Sequence, residues 1–153
     1  MALIRQGIAG LLESGFRYGI TYSVGALAEA QACAGAATDA LQTVEQALQA
    51  NPDELVWRPE NLRRRGELRL TQGETELAEA DFREAIALAR RMGAKAPELR
   101  ATVSLTRLLD QQGHRDEART MLAEIYGWFT EGFDTRDLEE AKVLLDELSQ
   151  GMC

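Results

Sequence analysis

The sequence predicts an all-α fold built from repeated helix pairs, and three observations lead to this prediction. The 153 residues are rich in Ala, Leu, Glu, Arg and Gln, which favour helices, and include only 3 Pro. Apolar residues recur at helical spacing, most clearly between positions 72 and 95. Glycines recur at nearly equal intervals, at positions 35, 73 and 113. Length and a hydrophobic share of 45% fit one soluble domain.

The repeated pattern consists of a turn glycine followed by a small residue, a large apolar residue and a further apolar or small residue. It occurs three times, as Gly35, Ala40, Val44 and Ala47, as Gly73, Ala78, Phe82 and Ala85, and as Gly113, Ala118, Leu122 and Ile125. At the same distance before each glycine stands Ala28, Gly66 or Thr106. We expect the glycine to end the first helix in a left-handed conformation. The small residues then allow the second helix to pack closely against the first.

This pattern resembles the tetratricopeptide repeat, and Asn51-Pro52 stands where that family closes a repeat. The interval between the turn glycines is longer than the family's period of roughly 34 residues. Three stretches, RRRGELRLTQG, ADFREAIALARRMGAKAPELRATVSLTRLLDQQG and EIYGWFTEGFDTRDLEEAKVLLDEL, are also similar to the repeat region at the C-terminal end of large bacterial signalling proteins. In those proteins a signal-transduction ATPase, often fused to a nucleotide cyclase, precedes the repeats. The resemblance implies a right-handed α-solenoid of about eight helices with a C-terminal capping helix.

The elements follow in order from the repeat. We predict a single tetratricopeptide-like domain over 1–153, divided into 1–19 (the second helix of a truncated repeat), 20–53, 54–95 and 96–133 (three full repeats) and 134–153 (the capping helix). The last segment carries an apolar stripe and a plausible N-cap. The stripe is Leu138, Ala141, Leu145 and Leu148, and the N-cap is Asp134 or Thr135, with Asp137 in the first turn.

The first segment looks like a second helix without its partner. When Gly15 is aligned with Gly93, the residues Ile4, Gly7 and Ile8 match Phe82, Ala85 and Ile86. The chain is thus expected either to be a fragment of a longer protein or to be a short gene product that starts within a repeat. We expect an apolar face formed by some of Leu3, Ile4, Ile8, Leu11 and Leu12 to be partly exposed and to favour a homodimer through 2–14.

Composition argues against several function classes. The net charge of −8 disfavours nucleic acid, whose backbone is bound by excess Lys and Arg. No apolar run reaches the roughly 18 residues of a membrane span. We read no signal peptide, so the cytoplasm is the expected location. Cys33 and Cys153 do not make a disulfide framework, and we expect Cys33 to be a small buried thiol.

The sequence contains no catalytic constellation, and no cofactor or metal is expected. The only histidine, His114, lies in a predicted turn without a second metal-ligating residue nearby. There is no Gly-rich phosphate loop and no Gly-x-Ser-x-Gly elbow. Consecutive acids such as Glu139 and Glu140 do not share one helix face. The aromatic residues Tyr126, Trp128, Phe129 and Phe133 are expected to seal the last repeat against the cap.

The resemblance implies a concave groove lined by the first helix of each pair. Carried over to this chain, the groove positions are Tyr22, Glu29, Arg63, Glu67, Leu70, Arg100, Val103, Arg107 and Asp110. Guanidinium groups bind carboxylates bidentately, so an acidic or C-terminal peptide is the predicted ligand. The alternative for Arg63 is an ion pair with Glu67 on its own helix. The family's chaperone-binding Lys-x-x-x-Asn signature is absent, with Gly25 and Glu29 in its place.

The predicted function is therefore a non-catalytic module for protein–protein interaction, or scaffold, that binds a peptide or protein partner in the groove. Such arrays leave an extended surface for partners. An alternative is a regulatory or sensory C-terminal segment of a larger signalling ATPase or nucleotide cyclase. A small enzyme is a minor alternative.

Overall fold

The computed structural model describes residues 2–13, 20–50 and 55–150, and these residues form helices and connecting turns without any strand. The all-α prediction is confirmed for this part of the chain. The helices are α1 (Ala2–Glu13), α2 (Ile20–Cys33), α3 (Ala37–Ala50), α4 (Arg58–Thr71), α5 (Thr75–Met92), α6 (Lys95–Gln111), α7 (Arg115–Tyr126) and α8 (Arg136–Gln150). Most side chains of α1 lie outside the described residues, so the packing of side chains is described for seven helices, α2 to α8.

The chain divides into two compact units, Met1–Asp81 and Phe82–Cys153, and the division falls within α5. In the first unit, α2 and α3 pack as a hairpin, and α4 contacts both of them. In the second unit, α6 and α7 pack as a hairpin, and α8 contacts both of them. The same packing order thus occurs in each unit.

The turn inside each helix pair is closed by a glycine in the left-handed region. Gly35, Gly73 and Gly113 have φ values of 80°, 80° and 85°. At the third turn, the amide of His114 donates to the carbonyl of Leu109 at 2.8 Å and that of Gly113 to Asp110 at 3.0 Å. These two bonds form the Schellman motif, which satisfies the last carbonyl groups of the preceding helix. No atom lies within 4 Å of a Cβ built on any of the three glycines, so conformation, not space, requires glycine.

The repeated apolar and small positions are buried, as the sequence predicts. Ala40, Ala78 and Ala118 are each 0% exposed. Val44, Phe82 and Leu122, one helical turn later, are also 0% exposed. The small residues of the first helices, Ala28, Gly66 and Thr106, are buried as well. The sequence repeat is therefore a repeat of packing positions.

The prediction of a buried thiol is wrong, because Cys33 is exposed and free. It lies in the last turn of α2, just before the turn at Gly35, and its neighbours Ala32 and Ala34 are also exposed. Burial at the end of α2 falls instead on Gln31, which is 2% exposed. Cys153 lies outside the described residues.

The predicted aromatic seal before α8 is also largely wrong. Trp128 is 58% exposed and Phe133 is 46% exposed, whereas Tyr126 and Phe129 are half-buried. The rings contact one another on the surface, with centroids 5.8 Å apart for Tyr126 and Phe133 and 5.2 Å apart for Trp128 and Phe129. Between α7 and α8, Trp128 and Phe129 meet edge to face and Tyr126 and Phe133 meet at a tilt, so the rings pack on one another at the surface instead of filling the core.

The ends of the chain were predicted with mixed success. In α8, Leu138, Ala141 and Leu148 are buried as predicted, but Leu144 is more deeply buried than Leu145. In α1, Leu3 is 82% exposed. The side chains of the other members of the predicted apolar face lie outside the described part of the structure; they are Ile4, Ile8, Leu11 and Leu12. Gly15 and the predicted closing pair Asn51-Pro52 also lie outside it.

Candidate functional site

A cavity of about 230 Å³ lies between α2 and α4 in the first unit. Three of the predicted groove residues line it, namely Glu29, Arg63 and Glu67. Its other lining residues are Ala28, Ala32, Arg64, Leu68 and Thr71. Small and apolar side chains thus form part of the wall, and charged side chains form the rest. The first unit thus brings three of the predicted groove residues together at one cavity.

Arg63 is held by two carboxylates of its own helix. Its Nε and Nη2 donate to Oε1 of Glu60 at 3.2 and 2.6 Å, and its Nη1 donates to Oε1 of Glu67 at 2.5 Å. Burial by itself would lower the pKa of Arg63, but the hydrogen bonds and charges of Glu60 and Glu67 outweigh it and raise this pKa. The predicted alternative, an ion pair with Glu67, is therefore present, and Glu60 strengthens it.

Arg64, which sequence reasoning did not single out, crosses from α4 to α2. Its Nη2 donates to Oε2 of Glu29 at 3.3 Å, and its Nη1 donates to Oδ1 of Asn61 at 3.3 Å. A Cβ on Gly25 would lie 2.6 Å from this Nη1 and 2.5 Å from the same Oδ1. The signal in the sequence was Gly25, since only glycine leaves room for the two side chains.

Asn61 also links α4 to α2 at this crossing. It is 0% exposed, and its Nδ2 donates to the backbone carbonyl of Thr21 at 3.2 Å. Bonding of a buried amide group at both ends is what a rigid helix crossing requires. Asn61 therefore links α2 and α4 beside the cavity.

The other two groove candidates of the first unit do not line the cavity. Tyr22 is 49% exposed, and its ring lies 4.7 Å from that of Trp57. Leu70 is half-buried on α4. Tyr22 therefore offers an aromatic surface on α2, separate from the cavity walls.

In the second unit, the candidate arginines are paired with α8. Nη1 of Arg100 donates to Oδ2 of Asp137 at 2.9 Å, and Nη2 of Arg107 donates to Oε1 of Glu140 at 2.5 Å. A cavity of about 390 Å³ lies between α6 and α8 beside Arg107 and Glu140. Its other lining residues are Arg136, Glu139, Val143, Leu144 and Glu147.

Of the remaining candidates, Val103 and Asp110 do not line this cavity. Val103 is 6% exposed and offers almost no surface. Asp110 is half-buried, with Oδ1 3.9 Å from Nη1 of Arg115. In the second unit the structure thus brings Arg107, but not these two residues, to the cavity wall.

Two buried carboxylates hold helices together and were missed by sequence reasoning. Asp81 on α5 is 2% exposed and accepts hydrogen bonds from Nη2 of Arg65 at 2.6 Å and Nη1 of Arg69 at 2.7 Å. Glu98 on α6 is also 2% exposed and accepts from Nε of Arg90 at 2.6 Å and Nζ of Lys95 at 2.9 Å. The hydrogen bond to Glu98 raises the pKa of Arg90.

Among the residues that the structure describes, no group of three or more His, Cys, Asp or Glu is placed to hold a metal ion. His114 stands exposed before α7, and its side chain does not cap that helix. No helix in the described ranges is both long and apolar enough to cross a bilayer.

No protein-family model matches the chain, and no curated protein shows significant similarity to it.

Proposed function

We propose that the chain is a non-catalytic protein-interaction module of the tetratricopeptide type, which binds an extended segment of a partner protein on the exposed face of its first helices. The proposal rests on the repeated helix pairs with left-handed turn glycines at 35, 73 and 113. It also rests on the equivalent packing of α4 on the α2–α3 hairpin and of α8 on the α6–α7 hairpin.

The cavity between α2 and α4 is the observation that carries the proposal. Its volume of about 230 Å³ is several times the roughly 30 Å³ that one water occupies in the liquid, so it can take one side chain of a partner. Ala28, Ala32 and Leu68 give it an apolar wall, and Arg63, Arg64 and Glu67 give it a charged rim. An apolar anchor surrounded by polar contacts is the usual anatomy of a binding hot spot.

To bind an arginine of the groove, an acidic residue of the partner would replace the carboxylate of this chain that pairs with that arginine. Arg107 is the most available arginine of the predicted groove, because its side chain is 51% exposed and its partner Glu140 is 36% exposed. Exposed pairs of this kind contribute only about 0–1 kcal/mol, so their exchange is inexpensive. Arg63 is 17% exposed and held by two carboxylates, so we expect it to shape the cavity more than to bind the ligand.

The anchor cavity is tested by filling it. Short peptides would be selected from a displayed library on the wild-type chain, and the best binder would be titrated by fluorescence anisotropy. Ala32→Leu places a larger side chain at the exposed wall of the cavity and should weaken binding at least tenfold. Ala87→Leu, on the exposed face of α5, is the matched control and should leave binding unchanged.

The charge component is tested by removing single arginines. Arg107→Ala should weaken binding of an acidic peptide by about tenfold, and Arg63→Ala should weaken it less. Arg91→Ala, at an exposed position in the last turn of α5, is the control and should have no effect. The groove assignment is wrong if the selected peptides bind Ala32→Leu, Arg63→Ala and Arg107→Ala as tightly as wild type.

Self-association through α1 also stays a proposal, supported by the 82% exposure of Leu3. The test is light scattering at high protein concentration, with Leu3→Glu as the variant that should be monomeric. A wild-type chain that is monomeric at every concentration would contradict it.

A further inference from the structure

The first unit has a second cavity, of about 480 Å³, between α2 and α3. It is separate from the cavity between α2 and α4, and none of the predicted groove residues lines it. Val24 and Leu27 form its apolar part, and the side chains of Gln31, Gln42 and Asp39 are among its polar part. Its volume falls within the range of small-molecule sites, which are roughly 300–1,000 Å³.

Gln31 is the unusual member of this lining. The residue is 2% exposed, and its side-chain carbonyl oxygen Oε1 is buried without any hydrogen-bond partner. Buried polar atoms are nearly always paired, so an unpaired acceptor at the wall of a cavity needs an explanation. A donor group bound in the cavity would supply one.

The internal repeat shows that the fold does not require this amide. When the repeats are aligned on Gly35, Gly73 and Gly113, Gln31 corresponds to Arg69 and Leu109. Arg69 donates to Asp81 at 2.7 Å, and Leu109 is 1% exposed and has no polar side-chain atoms. At the same position the second repeat has a guanidinium group that is paired through Nη1, although its Nε is buried without a hydrogen-bond partner, and the third repeat has an apolar side chain. Only the first repeat leaves an acceptor unpaired.

The remaining lining defines the complementary ligand. Asp39 contributes a carboxylate, Gln42 and Gln46 contribute amides, and none of the lining residues that the structure describes is basic. The hydroxyl of Thr43 already donates to the backbone carbonyl of Asp39 at 2.8 Å. The described lining therefore offers the unpaired carbonyl of Gln31, the negative charge of Asp39, further amides and an apolar wall, and the acceptor and the charge together suit a cation with N–H donors on an aliphatic chain.

We propose that the cavity between α2 and α3 binds a small aliphatic amine in its ammonium form. The ammonium group donates to Oε1 of Gln31 and is attracted by the carboxylate of Asp39, while the methylene chain covers Val24 and Leu27. This binding is independent of the proposed peptide surface, because it uses a different face of α2.

The test is a titration of the ¹⁵N-labelled full chain with 1,4-diaminobutane, followed by amide chemical shifts. We expect saturable shifts at residues 24–46. Gln31→Met keeps the length of the side chain but removes the acceptor, and Asp39→Asn removes the charge on an exposed residue. Each should weaken binding at least tenfold, whereas the control Gln111→Met, at an exposed position in the last turn of α6, should bind as wild type does.

Stability separates binding from folding in this test. Gln31→Met should unfold at the same or a higher urea concentration than wild type, because it removes an unpaired buried polar group. Asp39→Asn changes an exposed side chain and provides a second variant that does not depend on the core.

Three results would each overturn the proposal. The first is the absence of saturable shifts in the wild-type chain. The second is equal affinity of the wild type and both variants, or equal affinity for butyrate, which has the opposite charge. The third is binding of a Gly-Gly-Lys-Gly-Gly peptide without binding of the free diamine, which would assign the cavity to a protein partner.

Discussion

Arg64 on α4 donates a hydrogen bond to Glu29 on α2 at 3.3 Å, and in the second unit the position aligned with Glu29 also forms an ion pair with another helix. There, Arg107 on α6 is paired with Glu140 on α8. Arg107 stands opposite Glu29 when the repeats are aligned on Gly35 and Gly113. The same repeat position therefore forms an ion pair between helices in both units. Its residue is acidic in the first unit and basic in the second, so the two units carry different charge patterns.

The Arg107–Glu140 pair should add little to stability. Both side chains are more than a third exposed, and exposed pairs contribute about 0.2–1 kcal/mol. In a double-mutant cycle with Arg107→Ala and Glu140→Ala, urea unfolding should give a coupling energy below about 1 kcal/mol. A coupling well above that value would show that the pair is structural and that its carboxylate does not exchange with a ligand.

Asp81→Asn should destabilise the chain strongly. The side chain of Asp81 is 3% exposed, and its carboxylate is shared by Arg65 and Arg69, so the neutral amide removes the buried negative charge that both guanidinium groups contact. We expect a loss of about 3 kcal/mol in the free energy of unfolding, measured in urea. Glu84→Gln, on the exposed side of the same helix, should change it by less than about 0.5 kcal/mol.

Glu98→Gln should cost about 2 kcal/mol, because the buried carboxylate accepts charge-assisted hydrogen bonds from Arg90 and Lys95. Glu131→Gln, which is exposed, is the control.

The pKa of Arg90 is raised in the folded chain. Its contribution is therefore fully present below the ordinary arginine pKa and is lost only as the pH rises through the higher folded value.

The stability difference between wild type and Arg90→Ala should accordingly be the same at neutral and mildly alkaline pH. Urea unfolding at several pH values in this range measures it. A difference that declines from neutral to mildly alkaline pH would contradict the assigned role of the Arg90–Glu98 hydrogen bond.

Gly25→Ala should disturb the crossing of α2 and α4. The new Cβ would lie 2.5 Å from Oδ1 of the fully buried Asn61, and overpacking of this kind costs about 1–3 kcal/mol. In an Asn61→Ala background the same change should cost less, because the clash with Asn61 is removed and only the flexible end of Arg64, 2.6 Å from the new Cβ, remains to move aside. Gly10→Ala in α1, where nothing lies within 4 Å of the new Cβ, is the control and should not destabilise the chain. Additive effects of the two changes would argue against the contact.

Gly113→Ala should show the cost of the left-handed turn alone. The φ of Gly113 is +85°, and nothing lies within 4 Å of an added Cβ. We expect a loss of about 1 kcal/mol by thermal unfolding, since an L side chain is strained in this region. Gly113→Asn should lose less, because Asn tolerates the left-handed conformation better. Equal stability of both variants and wild type would mean that the turn adjusts its backbone.

Several features of this protein could be predicted from the sequence because they follow from local constraints. A left-handed turn admits glycine with least strain, so Gly35, Gly73 and Gly113 mark the end of each first helix. Close helix crossings admit only small residues, so Ala78 and Ala118 mark them. These restrictions repeat with the fold, and the repeat is therefore visible in the residues themselves.

The tertiary structure alone decided which charges meet and which surfaces stay exposed. Arg64 on α4 pairs with Glu29 on α2, and Arg107 on α6 pairs with Glu140 on α8, so each pair joins two helices that are distant in the sequence. Such contacts depend on how helices cross and on side-chain rotamers, and neither has a local pattern. The exposure of Trp128 depends in the same way on the packing of its neighbours. By itself, the sequence determined the helices, the turns and the packing positions, whereas the partners of the arginines and the three cavities were decided by long-range geometry.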